Sequence, residues 1–298
     1  MASVVATVRR KVLDVFGADA FYWWDRAYVV DWAVMCALWV VAWVVKEFPP
    51  FEREVDPNDP AISHQHHKNT IGGDLNIMIA VFVPVAVVVA AGTLRVSAME
   101  IHHGLLSLLA GSGLNEIITE FLKNRVGRLR PDFLTRCKWS NDLKACTGKA
   151  NDIMEGRRSF PSGHSSTAFA GMAFLSLFLA GLMYTWTFGQ SAPARNLLST
   201  RLGRICVTLA PVAYATWVAV SRLEDYRHHK EDVIVGSLLG TLSATTAYLV
   251  YWPNPFTLDL TASARSTTRA RVVYGQNSAR SANHEYEYEL AGAGDASV

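Results

Sequence analysis

Residues 221–232, SRLEDYRHHKED, place a serine–arginine pair, a histidine and an aspartate at fixed spacing between two apolar runs. Two other short stretches carry residues of related chemistry, KNRVGRLRP at 123–131 and PSGH at 161–164. Together the three stretches supply three fixed cations, two histidines and a carboxylate, which is a set suited to phosphoryl transfer. The fold of this chain must therefore bring three separated stretches to one place.

The third stretch is predicted to supply the nucleophile. On a helix, His228 and Asp232 share a face, so the carboxylate can accept the proton on one ring nitrogen and aim the other at phosphorus. Attack by His228 would give a phosphohistidine intermediate that water later hydrolyses. His229 would point about 100° away on the same helix and is interpreted as a bystander. In the second stretch, His164 is predicted to protonate the departing oxygen.

The phosphate itself is predicted to bind to three cations and one helix N-terminus. Lys123 and Arg130 can reach the same phosphate if the chain stays helical between them, and Arg222 completes the cage. Ser162 and the Gly163 amide are expected to contact phosphate oxygens where a helix begins. Fixed cations stabilise the charge that develops in transfer, as Mg²⁺ does in kinases, so no metal or other cofactor is expected.

Each of these residues has a plainer interpretation when it is taken alone. A lysine or arginine beside an apolar run is commonly a membrane-interface anchor, and a single loop histidine is commonly a surface residue. The PSGH stretch also suits a turn that opens a helix. The joint occurrence of the three stretches, in this order and with this spacing, favours the functional interpretation.

On these three motifs, the chain resembles the type 2 phosphatidic acid phosphatase superfamily, also called lipid phosphate phosphatases. Every position that defines the motifs is matched between Lys123 and Asp232. Members often have proline where this chain has Leu129, a difference that should affect loop shape rather than chemistry. The resemblance implies a haloperoxidase-like catalytic core. Vanadium haloperoxidases and soluble bacterial acid phosphatases share the motifs, so the motifs alone do not identify the substrate.

Composition points to the bilayer. Half of the residues are hydrophobic, 18% are charged and the mean hydropathy is +0.15, which is too apolar for an ordinary soluble domain of 298 residues. A hydrocarbon core of about 30 Å needs roughly 20 apolar residues per helix. Glu116 and Glu120 are expected to face other helices or the site, unless they mark an interfacial helix end. We predict an all-α bundle of six membrane helices, at residues 28–45, 75–94, 104–122, 165–188, 205–220 and 233–252.

The number of crossings decides whether the motifs can meet. Six spans place all three motifs on one face of the membrane, opposite both termini. Applied literally, the positive-inside rule puts the catalytic face in the cytosol, because that face carries more lysine and arginine. The resemblance implies the reverse, with cytosolic termini and a lumenal or extracellular active site. Three segments are predicted: a cytosolic segment at 1–27, the phosphatase domain at 28–252 and a disordered cytosolic tail at 253–298.

Cysteines and a histidine run leave two further questions. If the loop between the third and fourth spans faces an oxidising lumen, Cys137 and Cys146 could form a disulfide. The HQHH run at 64–67 looks like a metal-ligand cluster but lacks cysteine or carboxylate partners at ligand spacing. We interpret it as a solvated loop and expect no metal site.

These patterns indicate an integral-membrane phosphatase for lipid phosphates such as phosphatidate, lysophosphatidate or diacylglycerol pyrophosphate. Its expected partners are the bilayer and a phospholipid substrate, with no nucleic acid. One alternative is a phosphatase for isoprenoid, sphingoid or sugar phosphates. Another is a catalytically silent transporter or scaffold, against which the complete catalytic set argues. Head group, organelle and oligomeric state are left open.

Overall fold

The computed structural model describes residues 15–17, 20–187, 200–257 and 270–274. Within these residues the regular secondary structure is helical apart from one small antiparallel hairpin, which confirms the all-α prediction. In chain order the elements are α1 (Ala27–Lys46), a 3₁₀ turn (Pro60–Ile62), α2 (Gly73–Leu94), α3 (Ala98–Val126), α4 (Phe133–Cys137), β1 (Trp139–Ser140), β2 (Ala145–Cys146), α5 (Ala150–Gly156), α6 (Gly163–Met183), α7 (Arg201–Glu224) and α8 (Lys230–Tyr251).

Six of these helices, α1, α2, α3, α6, α7 and α8, are long and apolar enough to cross a membrane. The six-span prediction is therefore confirmed. Several spans begin earlier than their apolar runs, because polar side chains cap them. Ser97, Ser162 and Thr200 each accept a hydrogen bond from a backbone N–H of the first turn. The predicted end of the fourth span at 188 lies outside the described residues, and α6 itself ends at Met183.

Helix α6 forms the centre of the bundle and packs against α2, α3, α7 and α8. Small residues allow this close packing. A side chain at Gly171 would overlap the backbone oxygen of Ala80 on α2, and one at Gly240 on α8 would overlap the backbone oxygen of Ser166. The helix that begins at the PSGH stretch is thus enclosed by other helices, so its first turn can form the floor of a site.

The outer faces of the bundle are apolar. Large side chains such as Val40, Trp43, Phe82, Leu238 and Leu242 are exposed on the described surface. Buried polar groups lie inside instead, including Glu120, which confirms that this carboxylate faces the interior. A lipid solvent requires this distribution, with apolar side chains outside and polar groups inside. Contact between apolar side chains and lipid tails carries no free-energy cost, whereas exposed polar groups would be costly there.

Part of the tail packs against the end of the bundle opposite the three motifs. Tyr274 and Tyr251 both donate their hydroxyls to the carboxylate of Asp31, at 3.0 and 2.8 Å. The backbone N–H of Val273 donates to the Tyr28 hydroxyl. Residues 270–274 thus differ from the disorder expected for the tail, because their aromatic and backbone groups find buried partners. The rest of the predicted tail beyond 257, and residues 1–14 of the N-terminal segment, lie outside the described residues.

Candidate active site

The three motifs lie at one end of the bundle, and contacts join them to each other. Arg128 of the first motif stretch binds Asp232 of the third, with Nη1 and Oδ1 2.8 Å apart. Ser162 of the second donates its backbone N–H to the backbone oxygen of Asp232 at 2.9 Å. The imidazole of His164 is close enough to interact electrostatically with four other predicted site residues, Lys123, Arg130, Arg222 and His228. The structure therefore brings the predicted site residues together.

His228 is buried in the short connection between α7 and α8. Its Nδ1 lies 2.7 Å from the backbone oxygen of Ser159. A carbonyl oxygen can only accept, so Nδ1 carries the proton and Nε2 keeps its lone pair. Burial is the main reason that the pKa of His228 is lowered to about 4, and the nearby Asp232 carboxylate partly opposes it. The ring is therefore neutral at neutral pH, a state that the predicted role as a nucleophile requires.

Asp232 holds His228 by a different route from the predicted one. Helix α8 begins only at Lys230, so His228 precedes the helix and the expected shared helical face does not exist. The Asp232 Oδ2 atom lies 3.8 Å from His228 Nδ1 but only 2.6 Å from the Ser159 hydroxyl that donates to it. Asp232 thus holds Ser159, whose carbonyl holds His228. The same Oδ2 accepts the backbone N–H of His229 at the N-terminus of α8.

His229 is not a free bystander in the structure. It is the N-cap residue of α8, and its Nε2 lies 3.1 Å from the backbone oxygen of Leu129. Leu129 itself is buried beside Phe133 in a small apolar cluster. The leucine that replaces the family's common proline therefore contributes to packing of the loop, while its carbonyl contacts α8.

His164 lies in the first turn of α6, and its ring abuts the start of α2. An added Cβ at Gly73 would be 3.8 Å from His164 Nε2. That Nε2 is buried and has no hydrogen-bond partner among the described residues. Asn76 of α2 donates its side-chain amide to the backbone oxygen of His164 at 3.1 Å, which fixes the turn. A buried, unpaired ring nitrogen between fixed cations is well placed to exchange a proton with a bound ligand.

Lys123 reaches the N-terminus of α6 from the last turn of α3. Its Nζ pairs with Glu120, one helical turn earlier, at 2.5 Å. A Cβ at Gly163 would lie only 2.8 Å from the same Nζ, so the ammonium occupies the space that glycine leaves open. Glu120 thereby orients Lys123 toward the first N–H groups of α6, where an anion would bind.

Arg130 reaches the site after the helix has ended, so the condition that the chain stays helical between Lys123 and Arg130 is not met. Helix α3 ends at Val126, and Gly127 adopts a left-handed conformation with φ 58°. Arg130 Nε donates to the backbone oxygen of Glu155 on α5 at 2.8 Å. Burial lowers the pKa of Arg130 to about 10, although the nearby Glu155 carboxylate raises it. The guanidinium is therefore charged at neutral pH.

Arg222 is fully buried on the last turn of α7, and Asp225 is its ion-pair partner at 2.9 Å. The prediction that the third motif lies wholly between two spans is therefore corrected, since Arg222 and Asp232 belong to helices. Ser162 is the N-cap of α6, and its hydroxyl accepts the N–H of Ser165 at 3.4 Å. The Ser162 hydroxyl therefore caps the N-terminus of α6, the helix that carries Gly163.

The HQHH loop is exposed, as a solvated loop would be, yet it contacts the motifs. His66 Nδ1 lies 2.7 Å from the buried carboxylate of Asp132, and the ring of His64 stacks on Tyr226 with centroids 4.4 Å apart. Arg227 donates to the backbone oxygen of His67 at 2.7 Å. Among the described residues, no group of three histidine, cysteine or acidic side chains is placed to hold a metal ion.

Cys137 and Cys146 form a disulfide, which joins α4 to the hairpin next to the site. The other two cysteines, Cys36 and Cys206, are free. The disulfide lies in the same loop as Arg130, between α3 and α6. The pairing that the sequence left open is thus formed on the face that carries the motifs.

Sequence reasoning missed several polar residues that hold the site. They have no catalytic pattern of their own, because each acts through a motif residue or its backbone. Two of them, Arg128 and Asp225, lie inside the motif stretches and could have been noticed as charged neighbours. The others are recognisable only from tertiary contacts: Ser159, Asn69 and Thr70.

Replacing Gly163 with alanine tests the position of Lys123. The new methyl group would displace Lys123 Nζ, while the flexible lysine side chain lets α6 remain folded. We expect kcat/KM for phosphate release to fall by about tenfold or more, as the loss of a charge-assisted phosphate contact predicts. Gly72→Ala is the matched control, since a Cβ there meets nothing within 4 Å. Equal activities of the two variants would show that Lys123 does not depend on Gly163.

Several known proteins are similar to this chain over most of its length. The PAP2 superfamily pattern matches residues 104–256. Lipid phosphate phosphatase 2 of Arabidopsis thaliana is 35% identical over 78% of this chain and 80% of its own length. Probable diacylglycerol pyrophosphate phosphatase 1 of Schizosaccharomyces pombe is 36% identical over 75% and 81%, respectively. Diacylglycerol pyrophosphate phosphatase 1 of Saccharomyces cerevisiae is 34% identical over 68% and 72%. No solved structure matches the chain significantly.

Proposed function

The chain belongs to the PAP2 superfamily, and from this premise we propose that its site hydrolyses lipid phosphates such as phosphatidate, lysophosphatidate and diacylglycerol pyrophosphate. One observation carries the proposal. Two histidines, His228 and His164, lie among three buried or half-buried cations, and the described residues make no hydrogen bond to the Nε2 of either ring. Such an arrangement leaves one nitrogen to attack phosphorus and another to move a proton.

In the first step, the lone pair of His228 Nε2 attacks phosphorus and the bond from phosphorus to the lipid oxygen breaks. The departing oxygen takes a proton from His164, whose protonated form is favoured by the bound phosphate dianion. The Nδ1–H of His228 keeps its bond to the Ser159 oxygen, so the charge that appears on the ring is stabilised by Asp232. The products are the dephosphorylated lipid and phosphohistidine.

In the second step, water attacks the phosphohistidine and His228 Nε2 leaves. His164, now neutral, accepts the proton of the attacking water, so both histidines return to their starting states. Lys123, Arg130 and Arg222 stabilise the charge on the phosphoryl oxygens in both steps. Their side chains are already held by protein partners, so little reorganisation is needed at the moment of reaction.

A lipid substrate is supported by the position of the site. The motif residues are held at the ends of α3, α6, α7 and α8, all of which are long enough to cross the membrane. A phosphate head group at the membrane surface would lie at this depth while its acyl chains stay in the bilayer. The relatives named above carry lipid phosphate and diacylglycerol pyrophosphate in their names.

Purified protein in mixed micelles provides the test of this function. Phosphate release would be measured for phosphatidate, lysophosphatidate, diacylglycerol pyrophosphate and water-soluble phosphate esters, with and without EDTA. We expect release from the lipids to be unchanged by the chelator, because protein cations provide the charge that a metal would supply. Activity on water-soluble esters alone would refute the lipid assignment, and loss of activity in EDTA would refute the metal-independent mechanism.

For orientation, we place the termini in the cytosol and the active site on the lumenal or extracellular side, with the phosphatase domain at 28–252. The disulfide between Cys137 and Cys146 supports this placement, since disulfides persist in oxidising compartments. The larger number of lysines and arginines on the catalytic face opposes it under the positive-inside rule. We give that count little weight, because several of these cations are part of the site itself.

Two glycosylation acceptors test the orientation. Pro60→Thr completes an N-x-[ST] acceptor at the exposed Asn58, on the loop that shares a face with the site. Ala279→Thr does the same at Asn277 in the tail. We expect a glycan on the first variant and none on the second, read as a mass shift removed by endoglycosidase. The opposite result would place lipid dephosphorylation on the cytosolic leaflet.

A further inference from the structure

The fully buried Arg222 is held in part by a stretch of chain that is distant from the three motifs in sequence. Asp225 Oδ2 forms an ion pair with Arg222 Nη2 at 2.9 Å, and Asn69 Oδ1 accepts a hydrogen bond from Arg222 Nη1 at 3.2 Å. The partner residues Asn69 and Thr70 precede α2 and are separated from Asp225 by more than 150 positions. The contact therefore joins the loop between the first two spans to the end of the fifth.

We propose that Asp225, clamped by Thr70, is a positioning residue that sets the guanidinium of Arg222 for phosphate binding. This clamp consists of two hydrogen bonds from Thr70, one to each oxygen of the Asp225 carboxylate. Thr70 donates its backbone N–H to Asp225 Oδ2 at 2.8 Å and its hydroxyl to Oδ1 at 2.7 Å. Asp225 is itself buried. With both oxygens engaged by Thr70, the carboxylate can approach Arg222 in one orientation only.

The donors of Arg222 show why this orientation matters. Nε and one N–H of Nη2 donate to the hydroxyl of Ser221, and one N–H of Nη1 donates to Asn69, while Nη2 forms the ion pair with Asp225. A guanidinium has five N–H groups, so one on Nη2, beside the Asp225 carboxylate, and one on Nη1 donate no hydrogen bond to the described residues. Their direction follows from the three donated hydrogen bonds and the ion pair. A shift of the Asp225 carboxylate would rotate the guanidinium plane and aim these two N–H groups elsewhere.

Charge gives a second reason for the clamp. A buried guanidinium without a counter-charge is strongly destabilising, so Asp225 is needed while the site holds no phosphate. When phosphate binds, the Arg222 guanidinium lies between two anions, the phosphate and the Asp225 carboxylate, and interacts with both. Asp225 must therefore stay in place instead of following Arg222, and the two bonds from Thr70 hold it there.

The experiment compares Asp225→Asn, Thr70→Val and the exposed control Glu224→Gln, each with and without Arg222→Lys. Two quantities are measured: kcat/KM for phosphate release, and the affinity for orthovanadate, a phosphate-like anion, by calorimetry. We expect Asp225→Asn to lower both by about tenfold to hundredfold and Thr70→Val by a smaller factor. Glu224→Gln should leave both unchanged, since Glu224 is exposed.

The decisive readout is the double-mutant cycle with Arg222. If Asp225 acts through Arg222, then Arg222→Lys should cost far less in the Asp225→Asn background than in wild type. Effects that multiply independently, or a vanadate affinity unchanged by Asp225→Asn, would overturn the proposal. Thr70→Val, which removes only the hydroxyl, serves if Asp225→Asn does not fold, and an unchanged vanadate affinity in it overturns the clamp. The inference rests on the proposed function, yet vanadate binding tests it even if no lipid phosphate is hydrolysed.

Discussion

His228→Ala is expected to abolish phosphate release, leaving less than about 1% of wild-type turnover, because the substitution removes the atom that forms the covalent intermediate. The neighbouring groups would still bind phosphate, so the loss should appear in kcat more than in KM. The measurement is a burst and steady-state assay with radiolabelled lipid phosphate, in which wild-type protein should carry acid-labile label on histidine and the variant none.

His229→Asn is the matched control for this experiment. It changes the next residue, which is also a histidine, while asparagine remains a good N-cap for α8. The variant loses the contact of His229 Nε2 with the Leu129 oxygen, so a loss of less than about tenfold is expected. Release above 1% in His228→Ala, or label on histidine in that variant, would mean that another residue is the nucleophile.

Arg222→Lys should lower kcat/KM by about a hundredfold to a thousandfold although the charge is kept. Lysine has three donors on one atom and cannot span Ser221, Asp225 and Asn69 while also reaching phosphate. The result is expected to follow from the lost network on the protein side as much as from the lost fork to phosphate. Membrane insertion should be intact, which gel filtration in detergent would check.

Arg204→Lys provides the comparison on the same helix. Arg204 lies near the other end of α7, where it donates to the backbone oxygen of Met183 at 3.2 Å. Activity of this variant should stay within about threefold of wild type, since surface arginine contacts contribute little. If Arg222→Lys were equally active, Arg222 would be only an anchor at the membrane interface and the predicted cage would lose a member.

Some features of the site could be predicted from the chemistry of single residues, whereas others depend on how the ends of the helices meet. The types of the proposed catalytic residues were recognisable because attack, protonation and charge neutralisation each require particular side chains. Their geometry was not, as His228 shows. The spacing of four to Asp232 suggested a helical face, yet the capping interactions of α8 start the helix after His228 and leave Ser159 as the intermediary.

The segment after Lys123 illustrates the same limit. Hydrophobicity placed the third span correctly but could not locate its end, because the chain there is polar in any conformation. Gly127 in the left-handed region ends α3, and Arg130 returns to the site by bonding to Glu155 of α5. Only the packed loop between α3 and α6 decides this path.

The number of spans and the residue types of the proposed site could be read from the sequence alone. Both depend on local properties, the length of apolar runs against the thickness of a bilayer and the reactivity of particular side chains. The tertiary structure decided which groups hold those side chains. The bonds from Thr70 to Asp225 and from His228 to Ser159 join residues far apart in the chain. Such partners are selected by where helix ends meet in space, and no local pattern records that.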